Sequence, residues 1–416
     1  MIKTKKIRTV LAVAVLVLYV LSPPRASAAD VEISLDKALE LFYAHNYDIL
    51  ISRYDIDKAS ADLIGAKLLP NPVFSTNYIG NELNHFPQAG DNTQLTIRLD
   101  QLIELGNKRE LRTGAAQESL EAAGLTHRDA IRTLLVGFYT LFYNLKLDLL
   151  NVDLAKDELK QFDRILEIAE KRFSAGHLSL VDYTKISVGR IDLETNLASL
   201  ETQLRNDTEQ FSFLLGSDRH YLPLLAIRET FAEQGEEGLI ATAYANRFDF
   251  LSLQRQLKAS EYNGSLAKAG RIPDVTVGAE YDSFGRQNRP TAGFGFSIPL
   301  PFFNRNQDDI RRRAAEHRQL ELQIEKLRRQ IVVDVRQSVN NFESSLKVLD
   351  AYKRRKGDME ELLSRSERAF SLGGITALDL LDTQKTHRDF MTKYNQALVQ
   401  SNLNEALIKI SCGEIK

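Results

Sequence analysis

The chain has 416 residues, 43% of them hydrophobic, and a formal net charge of −2 at pH 7. A slightly acidic balance argues against a nucleic-acid partner, which selects basic surfaces, and a single cysteine, Cys412, excludes an intrachain disulfide. The seven histidines form no HxxxH pair or His–Cys cluster, so neither a metal site nor a cofactor site is read from the sequence.

The chain opens with the basic segment MIKTKKIR, an apolar run from Val10 to Leu21, and the small-residue site Ala26-Ser27-Ala28. This is a signal peptide over residues 1–28, too short in its apolar run to span a bilayer as a helix. Its removal takes away five cations (Lys3, Lys5, Lys6, Arg8 and Arg25) and no acid, which moves the net charge from −2 to −7.

Beyond it, proline falls only at 70, 72, 87, 223, 273, 290, 299 and 301. Residues 88–222 and 302–416 contain none, which predicts long helices. Leu159, Phe162, Leu166, Ala169 and Phe173 step by three and four, as do Val332, Val335, Val339, Phe342, Leu346 and Leu349. Such spacing predicts narrow coiled-coil seams, and a helix from about Gln101 to Phe173 would be on the order of 105 Å long. Gly176 and Gly373–Gly374 interrupt the seams, with Ser179 and Thr376 as fresh N-caps, so each half should end in a helical hairpin. Four segments instead alternate with period two: about 72–81, 93–100, 274–282 and 291–298. Their length suits membrane-spanning strands, with a soluble sheet as the alternative.

FSAGHLSLVD from Phe173 and FSLGGITALD from Phe370 repeat each other, as do AKLLPNPVFS from Ala66 and AKAGRIPDVTV from Ala267. The chain therefore reads as a duplication: residues 29–222, with a hairpin turn at about 174–182, and residues 223–416, with one at about 371–379. Residues 216–238 read as the crossover between repeats. Four strands cannot close a barrel, and open edges cannot face lipid, so membrane strands would have to be pooled by several chains.

With SLDKALELFYAHN from Ser34, LPNP from Leu69, the two turn motifs and FLLG ending at Gly216, the sequence resembles the TolC family of outer-membrane efflux ducts. QLIELGNKRELR from Gln101 and IPLPFFNRNQ from Ile298 resemble its heavy-metal (cobalt-zinc-cadmium) branch. The resemblance implies a mainly α protein with membrane β. Each protomer would give four strands to a trimeric 12-stranded barrel, continuous with an α-helical periplasmic tunnel. It implies a non-enzymatic homotrimer in outer-membrane lipid, served by a periplasmic adaptor and a proton-driven RND-type inner-membrane pump. Divalent cations are the expected cargo. A multidrug or type I protein-secretion duct is the alternative within transport, and a secreted periplasmic coiled-coil scaffold the alternative outside it.

Asp379 and Asp382 lie three apart beyond the second turn, and the family's equivalent acids ring the periplasmic mouth. Asp182 is the first-repeat counterpart of Asp379, while Lys185 stands where the second repeat has Asp382. Asp379 could instead serve only as an early-helix acid. The polar latch of multidrug members is absent, because its positions read Phe370 and Ile375. Adaptor contact is expected at Gly176, His177, Leu178, Gly373, Gly374 and Ile375, with His177 a further candidate cation contact. Asn107 and Asn306 are expected at strand-to-helix joints.

Overall fold

The computed structural model describes residues 31–80, 93–224, 226–228, 235–284 and 289–415. The predicted signal peptide, its expected cleavage site and the Asn81 end of the first predicted strand lie outside the described residues. The elements run β1 (Val31–Ser34), α1 (Leu35–His45), α2 (Tyr47–Lys67), β2 (Val73–Ile79), β3 (Gln94–Ile103), α3 (Lys108–Ser174) and α4 (Leu180–Leu214). They continue as β4 (Tyr221–Leu224), α5 (Glu236–Asn246), α6 (Phe248–Ala269), β5 (Val275–Phe284), β6 (Thr291–Ser297), α7 (Gln307–Ser371) and α8 (Ala377–Ser411).

The proline-free stretches are the long helices: α3 has 67 residues, α7 has 65, and α4 and α8 have 35 each. All four stop in one way. Gly176, Gly216, Gly373 and Gly413 have φ of 75°, 61°, 81° and 88°. In each, the glycine N–H bonds the carbonyl three residues back and the next N–H bonds the carbonyl five back. This is the Schellman stop, which needs a left-handed residue and so favours glycine. Gly373 and Gly413 follow Gly176 and Gly216 at one offset, 197 residues.

The predicted helix start near Gln101 needs correction. The strand continues through Ile103, because Gln101, Leu102 and Ile103 pair with Val277, Thr276 and Val275 of β5. The helix begins only at Lys108. The segment 216–238 also holds more than a crossover, since β4 pairs in parallel with β1, Val31 opposite Tyr221 and Ser34 opposite Leu224.

The chain divides into two compact units, each drawing on both sequence repeats. The first comprises the described residues of Met1–Tyr47, Gly137–Phe231 and Glu343–Glu405. Its aromatic core joins Phe42 of α1 to Phe138 and Phe142 of α3 and Phe211 of α4, with Phe42 and Phe138 centroids 4.9 Å apart. A second cluster unites Phe162, Ile165 and Ala169 with Ile186, Leu193, Phe370, Ala377 and Leu380, one seam from each of the four long helices. The second unit comprises Asp48–Val136, Ala232–Phe342 and the described residues from Ala406 onward, including the four-stranded antiparallel sheet β2-β3-β5-β6. Arg247 is buried there between α5 and α6, and it bonds Asp249 at 2.6 Å and Asp334 at 2.7 Å. A buried guanidinium requires such partners.

Candidate functional site

Each hairpin turn is built by a helix stop followed at once by a helix start. After Gly176, the Ser179 hydroxyl accepts the Asp182 N–H at 3.0 Å and donates to the Asp182 carboxylate at 2.8 Å. After Gly373, the Thr376 hydroxyl accepts the Asp379 N–H at 3.2 Å. Asp379 Oδ2 in return accepts from the Thr376 hydroxyl at 2.7 Å and its N–H at 3.1 Å. Both acids thus occupy the third helical position, and at the second turn, where Asp379 also accepts the Thr376 N–H, the capping box is complete. Those bonds from Thr376 hold the Asp379 carboxyl below its usual range. Asp382 stands on the same helix, one turn further on.

The six turn residues separate by environment. Gly176, His177, Gly373 and Gly374 are exposed. Leu178 and Ile375 are half-buried and pack onto the core beneath the turns. Phe370 is only 1% exposed, whereas its counterpart Phe173 is 37% exposed and stacks on Tyr183, centroids 5.0 Å apart. Sequence reasoning missed Arg172. Its guanidinium lies 5.0 Å from the Phe370 ring, donates to the Phe370 carbonyl at 2.6 Å and reaches the His177 carbonyl at 3.5 Å. One cation therefore ties the two turns together, at a position where the second repeat carries Ala369.

In the second unit the sheet has two unlike faces. Phe74, Leu99, Ala279 and Phe294 lie in one cross-strand row, and Thr76, Ile97, Tyr281 and Ala292 in the next. On this face Phe294 is 93% exposed. The other face is polar: Arg98 meets Asp100 at 2.8 Å and Glu280 at 3.3 Å, and Gln94 donates to Asp282 at 3.0 Å. Gly293 and Gly295 oppose Glu280 and Gly278 on that polar face. Among the described residues β2 pairs only with β3 and β6 only with β5.

Asn107 and Asn306 sit directly before α3 and α7 with φ of 63° and 59°, the left-handed region that asparagine tolerates. Their carbonyls accept the first helical N–H groups, from Leu111 and Ile310. The Asn306 amide also donates to the Ala267 carbonyl at 2.8 Å. Among the described residues, no group of three His, Cys, Asp or Glu could hold a metal ion.

Comparison with known proteins bears on this arrangement. The family model described as outer membrane efflux protein matches residues 40–217 and 239–411. The chain belongs to that family. Outer membrane efflux proteins are passive channels, and this one is no enzyme. The chain is similar to the cobalt-zinc-cadmium resistance protein CzcC of Cupriavidus metallidurans, 25% identical over 69% of this chain and 67% of that one. It is also similar to the pyoverdine export outer membrane protein OpmQ of Pseudomonas aeruginosa, 23% identical over 85% and 79%. Its fold matches a crystal structure of CusC with a TM-score of 0.78 over 94% of both chains, at 15% identity.

Proposed function

We propose that this chain is one subunit of a homotrimeric outer-membrane exit duct in a tripartite efflux system, with divalent metal cations as cargo. The observation that carries the duct reading is the sheet. Its apolar face is exposed, its opposite face is charged, and its edge strands β2 and β6 are each paired on one side only among the described residues. Four strands are too few to close, whereas three copies would supply twelve and cover every edge. The apolar face would then meet lipid, and the polar face would line water. The exposed Gly176, His177, Gly373 and Gly374 would receive a periplasmic adaptor, and an RND-type pump would supply the energy.

Metal cargo is supported by similarity to a cobalt-zinc-cadmium resistance protein and by the paired acids on α8. Three copies would gather six carboxylates from Asp379 and Asp382, a ring that favours cations. Loss of the gene should raise sensitivity to cobalt, zinc or cadmium, with resistance restored by the intact gene. Unchanged metal tolerance with impaired siderophore or dye export would transfer the assignment to the second reading, which the pyoverdine export relative favours. For the acidic ring, Asp382→Asn is the cleaner probe, because Asp379 also caps its helix. Cation-over-anion permeability in planar bilayers should fall in that variant, and an unaltered ratio would remove the ring from the mechanism.

A further inference from the structure

Within the first unit, the hairpins α3–α4 and α7–α8 border a half-open cavity of about 530 Å³. Phe162, Leu193, Leu363 and Leu381 give it apolar walls, yet Glu158, Gln384 and His387 also line it. Both carboxylate oxygens of Glu158 are buried without a hydrogen-bond partner, and so are Oε1 of Gln384 and Oε1 of Glu367. His387 Nδ1 lies 3.9 Å from Glu158 Oε1, too far for a hydrogen bond, with both side chains only 12% exposed. These groups come from α3, α7 and α8. Arg164 of α3 acts on Glu367, Lys185 and Asp192 face the cavity from α4, and Lys385 and Arg388 face it from α8. None of these cations donates to Glu158.

Buried acceptors without donors are costly, and a carboxyl removes that cost by taking a proton, which makes it a donor. Burial pushes the Glu367 carboxyl above its usual range, while His387 and Arg164 pull it back. We propose that Glu158, Glu367 and His387 form a proton-operated latch between the two hairpins, packed when the cluster holds an added proton and loosened when it gives that proton up. Glu367 binds its proton more tightly in the packed hairpins than in water, so packing strengthens as pH falls and weakens as pH rises above the ordinary glutamate range. The latch depends on side chains of one protomer and is independent of what the duct carries.

Hydrogen exchange of the full-length mature protein in detergent tests this. Protection over residues 158–193 and 363–388 is compared at about pH 5.5 and about pH 8, after division by intrinsic exchange rates. The native protein should lose protection severalfold at the higher pH. Glu367→Gln mimics the protonated carboxyl and should hold protection within about twofold between the two conditions. His387→Gln should lower protection at both pH values, because it removes the ring packed beside Glu158. If Glu367→Gln fails to assemble, Glu367→Met, which likewise cannot ionise, carries the same expectation of a flattened pH response. An unchanged pH response in the glutamine variants, or no response in the native protein, would overturn the latch.

Discussion

At the scale of single residues, two glycines of identical backbone type carry different constraints. Gly176 and Gly216 both stop a helix in the left-handed region, at φ 75° and 61°. A Cβ on Gly176 would meet open space, whereas one on Gly216 would fall 2.4 Å from the His45 carbonyl oxygen. Gly176→Ala should therefore cost about 1 kcal/mol, the left-handed penalty alone. Gly216→Ala should cost about 3 kcal/mol or more, since a clash with fixed backbone adds to that penalty. Unfolding midpoints of the two variants check the difference, and equal losses would mean that the α1 junction yields. Gly176 is legible in the sequence as a helix stop, whereas Gly216 reads there only as the end of the FLLG motif. Only the chain crossing beside Gly216 distinguishes them, and His45 is far away in sequence.

Helices and strands are legible in the sequence to the degree that local pattern dictates them. Proline-free, heptad-spaced stretches form α3, α4, α7 and α8, because that spacing gives each helix one apolar stripe to bury. The end of β3 escapes local pattern, since Gln101–Ile103 is held in the strand by Val275–Val277 of β5, far downstream. Charge within a hairpin is likewise a product of register. Asp148 of α3 has its carboxyl pushed up to about 7, by burial first and then by Asp207 of α4. A carboxyl raised in the folded state penalises folding once it must ionise, so stability should fall as pH rises from the ordinary aspartate range to about 7. Asp148→Asn lacks this penalty. It should be more stable than the native protein at about pH 8, and the advantage should vanish near pH 4. Denaturation at both pH values measures it, and an advantage that does not change with pH would refute this account of Asp148.

For the molecule as a whole, the two faces of the sheet govern where the protein can reside. Phe294 is 93% exposed on the apolar face, whereas Glu280 faces Arg98 on the polar one. If the apolar face meets lipid, Phe294→Arg should cost about 2–4 kcal/mol in the membrane and deplete heat-sensitive, detergent-resistant trimers. Glu280→Gln should leave their yield unchanged. Normal outer-membrane trimers from Phe294→Arg would place that face elsewhere. The alternation is readable in the residues themselves, because a strand puts alternate side chains on opposite faces.

Local sequence suffices for the periodic content of this protein: the helix stops at one repeat offset, the capping acids, and the left-handed asparagines before α3 and α7. Each follows from backbone conformations and hydrogen bonds within a few residues of chain. Which distant groups meet is settled only when the chain packs. Packing sets Arg172 against Phe370, pairs β1 with β4, places Glu158 and His387 on one cavity, and brings His387 to act on Glu367. These groups lie up to roughly two hundred residues apart, where no local spacing rule applies and only the packing register of four helices brings them together.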